Sequence, residues 1–363
     1  MKKTLVIMSL ILAMLFALVG CGSSETTTTP TNPPAENSTD TSDNSAVEET
    51  TKELKAVTMK VGHTLSSTHP TQTVMEEMAR VCSELSGGKI TIDIYPNSVL
   101  GSELSMIQQV MDGSLDAHIQ TGLATFANFN PLANIENMPF LWKTEEAARQ
   151  AVDNEFGQLF TSEVMEPLGF HVLCFWENGY RHLTNDVRPI VVPSDLEGLK
   201  IRVAEIPLRV QLFESLGASA VPIGFNELFS ALQQGTVDGQ ENPLSNIASS
   251  NFDEVQTYLS LSGHLFNTGV FYVNQDFWNS LEPEAQAIIT EAACAARDAE
   301  RQMLDEMMDG LVEELENRGM VVNEVEKQQF IDMLQPMYDQ YVADNGDIAQ
   351  QILDAATKYN DAA

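Results

Sequence analysis

The chain has 363 residues, with 52 acidic against 19 basic side chains and a formal net charge of −33 at pH 7. A field of that sign repels polyanions, which excludes nucleic acid and close contact with anionic lipid head groups. Of the four cysteines, Cys82, Cys174 and Cys294 form no Cys-x-x-Cys pair; they are expected as small buried hydrophobes, with no metal and no cofactor.

In chain order, Met1-Lys2-Lys3 is a basic start, and Leu5 to Val19 is apolar apart from Ser9. At about 15 residues the run is short of the roughly 20 needed to span a bilayer. Leu18-Val19-Gly20-Cys21 resembles the lipobox of bacterial lipoproteins, which implies that residues 1–21 are a signal peptide and that Cys21 is lipidated. A transmembrane anchor is the alternative. Residues 22–55, rich in Thr, Ser, Pro, Asn and acids, offer nothing to bury and are expected as a disordered tether.

Beyond the tether, strands and helices alternate, as in an α/β fold with a largely parallel sheet. Strands are predicted over 56–62, 89–95, 116–120 and 171–176, then 199–203 and 265–273. Helices are predicted over 69–85, 104–111, 144–153 and 155–167, with Ser102 as an N-cap. A long one follows over 284–318, with a break at Gly310 as the alternative, and two more over 325–342 and 346–359. Ligands of such sheets bind beyond the carboxyl ends of strands, which brings Gly62-His63-Thr64, Thr121-Gly122 and Glu103 to one rim.

Cations are scarce, yet Arg181, Arg188, Lys200, Arg202 and Arg209 fall within 29 residues, and none occurs from Val210 to Ala296. In an acidic protein, an anion site needs local, directed cations, and the planar fork of Arg suits a carboxylate. The blocks Gly179-Tyr180-Arg181, Leu199-Lys200-Ile201-Arg202-Val203 and Asp238-Gly239-Gln240-Glu241-Asn242-Pro243 occur in that order. With Leu100-Gly101-Ser102-Glu103 and Pro139-Phe140-Leu141, they resemble the DctP-type solute-binding proteins of tripartite ATP-independent periplasmic (TRAP) transporters, over roughly residues 56 to 340. One departure is Ala204, where that family commonly has proline after Arg-Val.

The resemblance implies a two-lobed periplasmic-binding-protein fold with a hinge, an interlobe cleft and a long spanning helix. Lobe I would comprise 56–178 with 268–306, and lobe II 179–267 with 307–363. It implies that Arg202 holds the ligand carboxylate, that Arg181 and Asn242 assist, and that Phe225 forms an aromatic wall. Glu103, His63 and Glu177 complete the expected set, with donors and acceptors suited to hydroxyls. The function implied is extracytoplasmic capture of an organic acid, a sugar acid such as a hexuronate or aldonate, for the small and large membrane subunits. The protein is expected as a lipid-anchored monomer. A C4-dicarboxylate is the alternative ligand, and a sensor kinase the alternative partner. A secreted enzyme is disfavoured by the lack of Gly-x-Ser-x-Gly, His-Glu-x-x-His, phosphate-loop and Gly-x-Gly-x-x-Gly motifs.

Overall fold

The computed structural model describes residues 54–361; the leader, Cys21 and most of the tether lie outside them. Nine strands form one sheet: β1 Val57–Gly62, β2 Ile90–Tyr95, β3 Ala117–Gln120, β4 Phe170–Asn185, β5 Lys200–Val203, β6 Ser219–Pro222, β7 Gly239–Pro243, β8 Tyr258–Asn274 and β9 Val321–Glu324. Their order is β2-β1-β3-β8-β4-β7-β5-β6, with β9 added beside β8. Parallel pairs lie at both ends, β1 with β2 and β3, and β5 with β6 and β7. The antiparallel ribbon of β4 and β8 joins them.

That ribbon is longer than the sequence indicated. The predicted strand stops at residue 176, but β4 continues to Asn185. It absorbs the irregularity as bulges, one of them between Glu177 and Gly179. Gly179 takes φ 102°, open to glycine and strained for other residues, so the strand bends there without ending.

Helix α1, Pro70–Leu85, begins at His69, whose ring accepts the Thr71 N–H at 3.2 Å. Helix α2, Glu103–Asp112, is capped by the Ser102 hydroxyl, which accepts the Ser105 N–H at 3.3 Å. Next come α3 Glu145–Val152, α4 Pro207–Ser215, α5 Phe225–Gln233 and the long α6, Pro283–Asn317. α6 is broken at Asp309 and Gly310, the alternative allowed by the sequence, because Gly310 sits at φ 94°. Where two C-terminal helices were expected there are three, Lys327–Leu334, Pro336–Asn345 and Asp347–Thr357. Pro336 has no N–H for the preceding turn and starts a new helix instead.

The larger core packs Phe126, Phe160 and Phe170 with Tyr272. A smaller one gathers Leu228, Leu232, Ile247, Phe252 and Leu259, and α6 reaches it on both sides of its break, with Met307 and Met308 before it and Leu311 and Leu315 after. Among the described residues, no helix is long and apolar enough to cross a membrane.

Candidate functional site

Three loops at strand ends and two helix starts enclose a small cleft. β1 leads to Thr64, β3 to Thr121 and β5 to Ala204, while α2 and α5 present Glu103 and Phe225 at their first positions. Arg181, Arg202, Asn242 and Asn246 line it as well. The cleft holds about 40 Å³, room for a few waters by the measure of roughly 10–15 Å³ each. The Asn128 amide donates across it to the Glu205 carbonyl at 3.0 Å. That space is smaller than a sugar acid, which enters only if the two sides part.

Arg202 sits on β5, buried, with its guanidinium 5.9 Å from the centre of the Phe225 ring. Its Nε donates to the Ile223 carbonyl at 2.8 Å, which fixes the fork. Among the described residues, no carboxylate pairs with it. Burial pulls its pKa down to about 10, with Glu241 and Glu103 acting the other way and Arg181 and Arg209 adding repulsion. A desolvated guanidinium without a counter-charge is a carboxylate receptor in waiting.

Arg181 is spent differently. Its Nε donates to Glu241, and its terminal nitrogens reach Asn267 at 3.1 Å, Glu241 Oε1 at 2.9 Å and Asn242 Oδ1 at 3.1 Å. Glu241 also accepts from Arg209 at 3.0 Å, and the His264 ring lies 3.4 Å away. Burial alone would raise the Glu241 carboxyl, but the two arginines hold it well below the usual range. Arg181 thus props Asn242 and lends its remaining field to the cleft. Asn242 is oriented on the other side by its amide donating to Gln240 at 2.5 Å.

Opposite Arg202, Glu103 is held by three hydroxyls: Thr121, Thr64 at 3.4 Å and Thr125 at 3.3 Å. A carboxylate and three threonines are groups able to exchange hydrogen bonds with hydroxyls, and they face a guanidinium suited to a carboxylate. Arg202, Arg181, Asn242, Phe225 and Glu103 therefore come together as the sequence suggested. His63 does not line the cleft: it is fully buried, with Nε2 2.8 Å from Gln72, and burial lowers its pKa. Glu177 faces away, bound by Arg149 at 2.5 and 3.0 Å. Arg149 also reaches Asp305 at 2.6 Å, serving as the shared cation where Glu145, Glu177 and Asp305 converge.

Sequence reasoning missed Thr125, Asn246 and Glu205. Asn246 lies three residues beyond the Asn-Pro block, and one helical turn after Pro243 would have indicated it. A larger cavity of about 570 Å³ lies around Trp142, Tyr180 and Glu177. Lys143, Lys327 and His182 line it, but no arginine fork of the kind found in the smaller cleft does.

Two α/β halves share the β4–β8 ribbon, and two buried arginines, Arg181 and Arg202, line the cleft, an arrangement suited to holding a small organic anion. The family described as bacterial extracellular solute-binding protein, family 7 (DctP) matches residues 61–345. The chain belongs to this family, the solute-binding proteins of TRAP transporters. The sugar acid binding protein DctPAm of Advenella mimigardefordensis, solved with galactonate, is similar at 31% identity and TM-score 0.80, covering 84% of this chain and 99% of that one. A TRAP solute-binding protein of Anaerococcus prevotii with bound D-glucuronate reaches 28% and 0.80, covering 84% and 99%. The C4-dicarboxylate-binding protein DctB of Bacillus subtilis is 28% identical over 290 residues, 78% of this chain and 82% of that protein.

Proposed function

We propose that the protein captures a sugar acid, a hexuronate or an aldonate, outside the cytoplasm and delivers it to the membrane subunits of a TRAP transporter. It does no chemistry on its cargo, and it is held at the membrane by a lipid on Cys21. Arg202 takes the carboxylate through two parallel hydrogen bonds, Phe225 covers the carbon skeleton, Asn242 donates, and Glu103 accepts from hydroxyls. Arg181 positions Asn242. The lobes meet at the Glu177–Gly179 bulge, with α6 crossing between them.

The observation that carries this reading is the asymmetry of charge partners. Among the described residues Arg202 has no acid partner, whereas Arg181 is already engaged by Glu241. A C4-dicarboxylate would need a second free cation and would meet the Glu103 carboxylate instead. A sugar acid needs one cation and several hydrogen-bonding groups, and similar proteins are solved with galactonate and with glucuronate.

The test is mass spectrometry of ligand released from purified protein, then calorimetry against galactonate, gluconate, glucuronate, galacturonate, succinate and malate. Arg202→Lys loses the fork and at least one charge-assisted bond of roughly 1.5–3 kcal/mol, so binding should weaken about ten- to a hundredfold. Tight binding of succinate or malate alone would overturn the ligand class. Undiminished affinity in the lysine variant would remove Arg202 from the site.

A further inference from the structure

Cys174 on β4 and Cys294 on α6 are neighbours, because the Cys294 sulfur lies against the carbonyl of Leu173, the residue before Cys174. Cys174 is buried and accepts the Trp176 indole N–H at 3.2 Å. Cys294 is half-buried, its sulfur 4.0 Å from the Leu173 carbonyl. Strand and helix are already pinned at this point. The Glu177 N–H donates to Glu300 at 3.2 Å, and Arg301 donates to the Phe175 carbonyl at 3.3 Å. Strand and helix are therefore held against each other where the two cysteines sit.

We propose that Cys174 and Cys294 are an oxidisable pair that closes to a disulfide outside the cytoplasm, stapling β4 to α6. The compartment in which this family works favours disulfides. Cys294 is the entry point because it is the accessible one. The neighbouring Cys174, aided by Arg297, brings its thiol down to about 7 against the effect of burial. Cys82 is the internal contrast, buried without such a partner and pushed up to about 12.

The oxidant is a small-molecule disulfide. The Cys294 thiolate attacks one of its sulfurs and expels the other as a thiolate, leaving a mixed disulfide. Cys174, giving up its proton, attacks the Cys294 sulfur and expels the second small thiolate. Two protein thiols are oxidised, one small disulfide is reduced to two thiols, and two protons pass to the expelled thiolates. Both cysteines lie on the same side of the Glu177–Gly179 bulge, so the staple stiffens one lobe and leaves the hinge free.

The experiment uses the full chain with Cys21→Ser, incubated with oxidised glutathione at pH 7.5. Intact mass should fall by two hydrogens, and non-reducing digestion with trypsin should join the peptide 150–181 to the peptide 210–297. The loop closed is more than a hundred residues long, so the melting temperature should rise by roughly 5 °C or more. Cys174→Ala should stop at a stable glutathione adduct on Cys294. A wild-type chain that keeps glutathione on Cys294 with Cys174 free, that stays fully reduced, or that joins its peptides with no gain in melting temperature, would overturn the proposal.

Discussion

Glu300 is a carboxyl buried at the hinge, and replacing it with glutamine gives a prediction with a defined pH window. It faces the Thr71 hydroxyl at 2.6 Å and the Glu177 N–H at 3.2 Å. Burial is the main reason its pKa rises to about 8; Glu177 adds to the rise, while the two hydrogen bonds and Arg301 oppose it. His69, which touches Thr71, is held neutral by its own burial, its pKa near 3. Because the folded value lies above the unfolded one, the protonated acid's contribution is complete below about pH 4.5 and is lost as pH rises through about 8. The rise of roughly 3.5 units corresponds to about 4–5 kcal/mol. Glutamine imitates the protonated acid, donating to Thr71 and accepting from the Glu177 N–H. Urea unfolding of wild type and Glu300→Gln between pH 4 and 9 should give similar stabilities at pH 4. The variant should lead by several kcal/mol at pH 9, other titrating groups cancelling in the difference. A difference that stays flat within about 1 kcal/mol across this range refutes the reasoning.

Glu103→Gln keeps the shape of the threonine-lined wall but weakens its acceptor, so sugar-acid affinity should drop about tenfold by calorimetry. Succinate or malate, if bound at all, should bind the variant as well or better, because a repulsive carboxylate is gone. Cys21→Ala should leave affinity unchanged and move the protein from the membrane fraction to the soluble one. Retention in membranes would point to residues 5–19 as an anchor.

The end of the sheet built from β1, β2 and β3 was legible because each strand carries a simple signal, such as Ile90, Ile92 and Ile94 alternating, whereas at the other end β5 was read and the short, partly exposed β6 was not. The caps His69 and Ser102 announce their helices equally well. The middle was harder to read. β7 is Gly-Gln-Glu-Asn-Pro, buried throughout, and its polar side chains are satisfied by one another and by Arg181 and Thr184. No periodicity marks such a strand. The site was read through Arg202 and its block, which are local in sequence. Whether Glu177 or His63 faces the cleft depends on a bulge and on the packing of α1, which arise only in three dimensions.

The ribbon of β4 and β8 also sets the order in which the chain can fold. β3 must wait for β8, some 150 residues later, before its outer edge is paired, and β4 waits for the same partner. The first 250 residues therefore hold an unclosed sheet whose two halves lack their common centre. Contacts this distant in sequence make closure slow. The nascent chain stays open until residues 258–274 have been made, a useful delay for a protein that must leave the cytoplasm before it works.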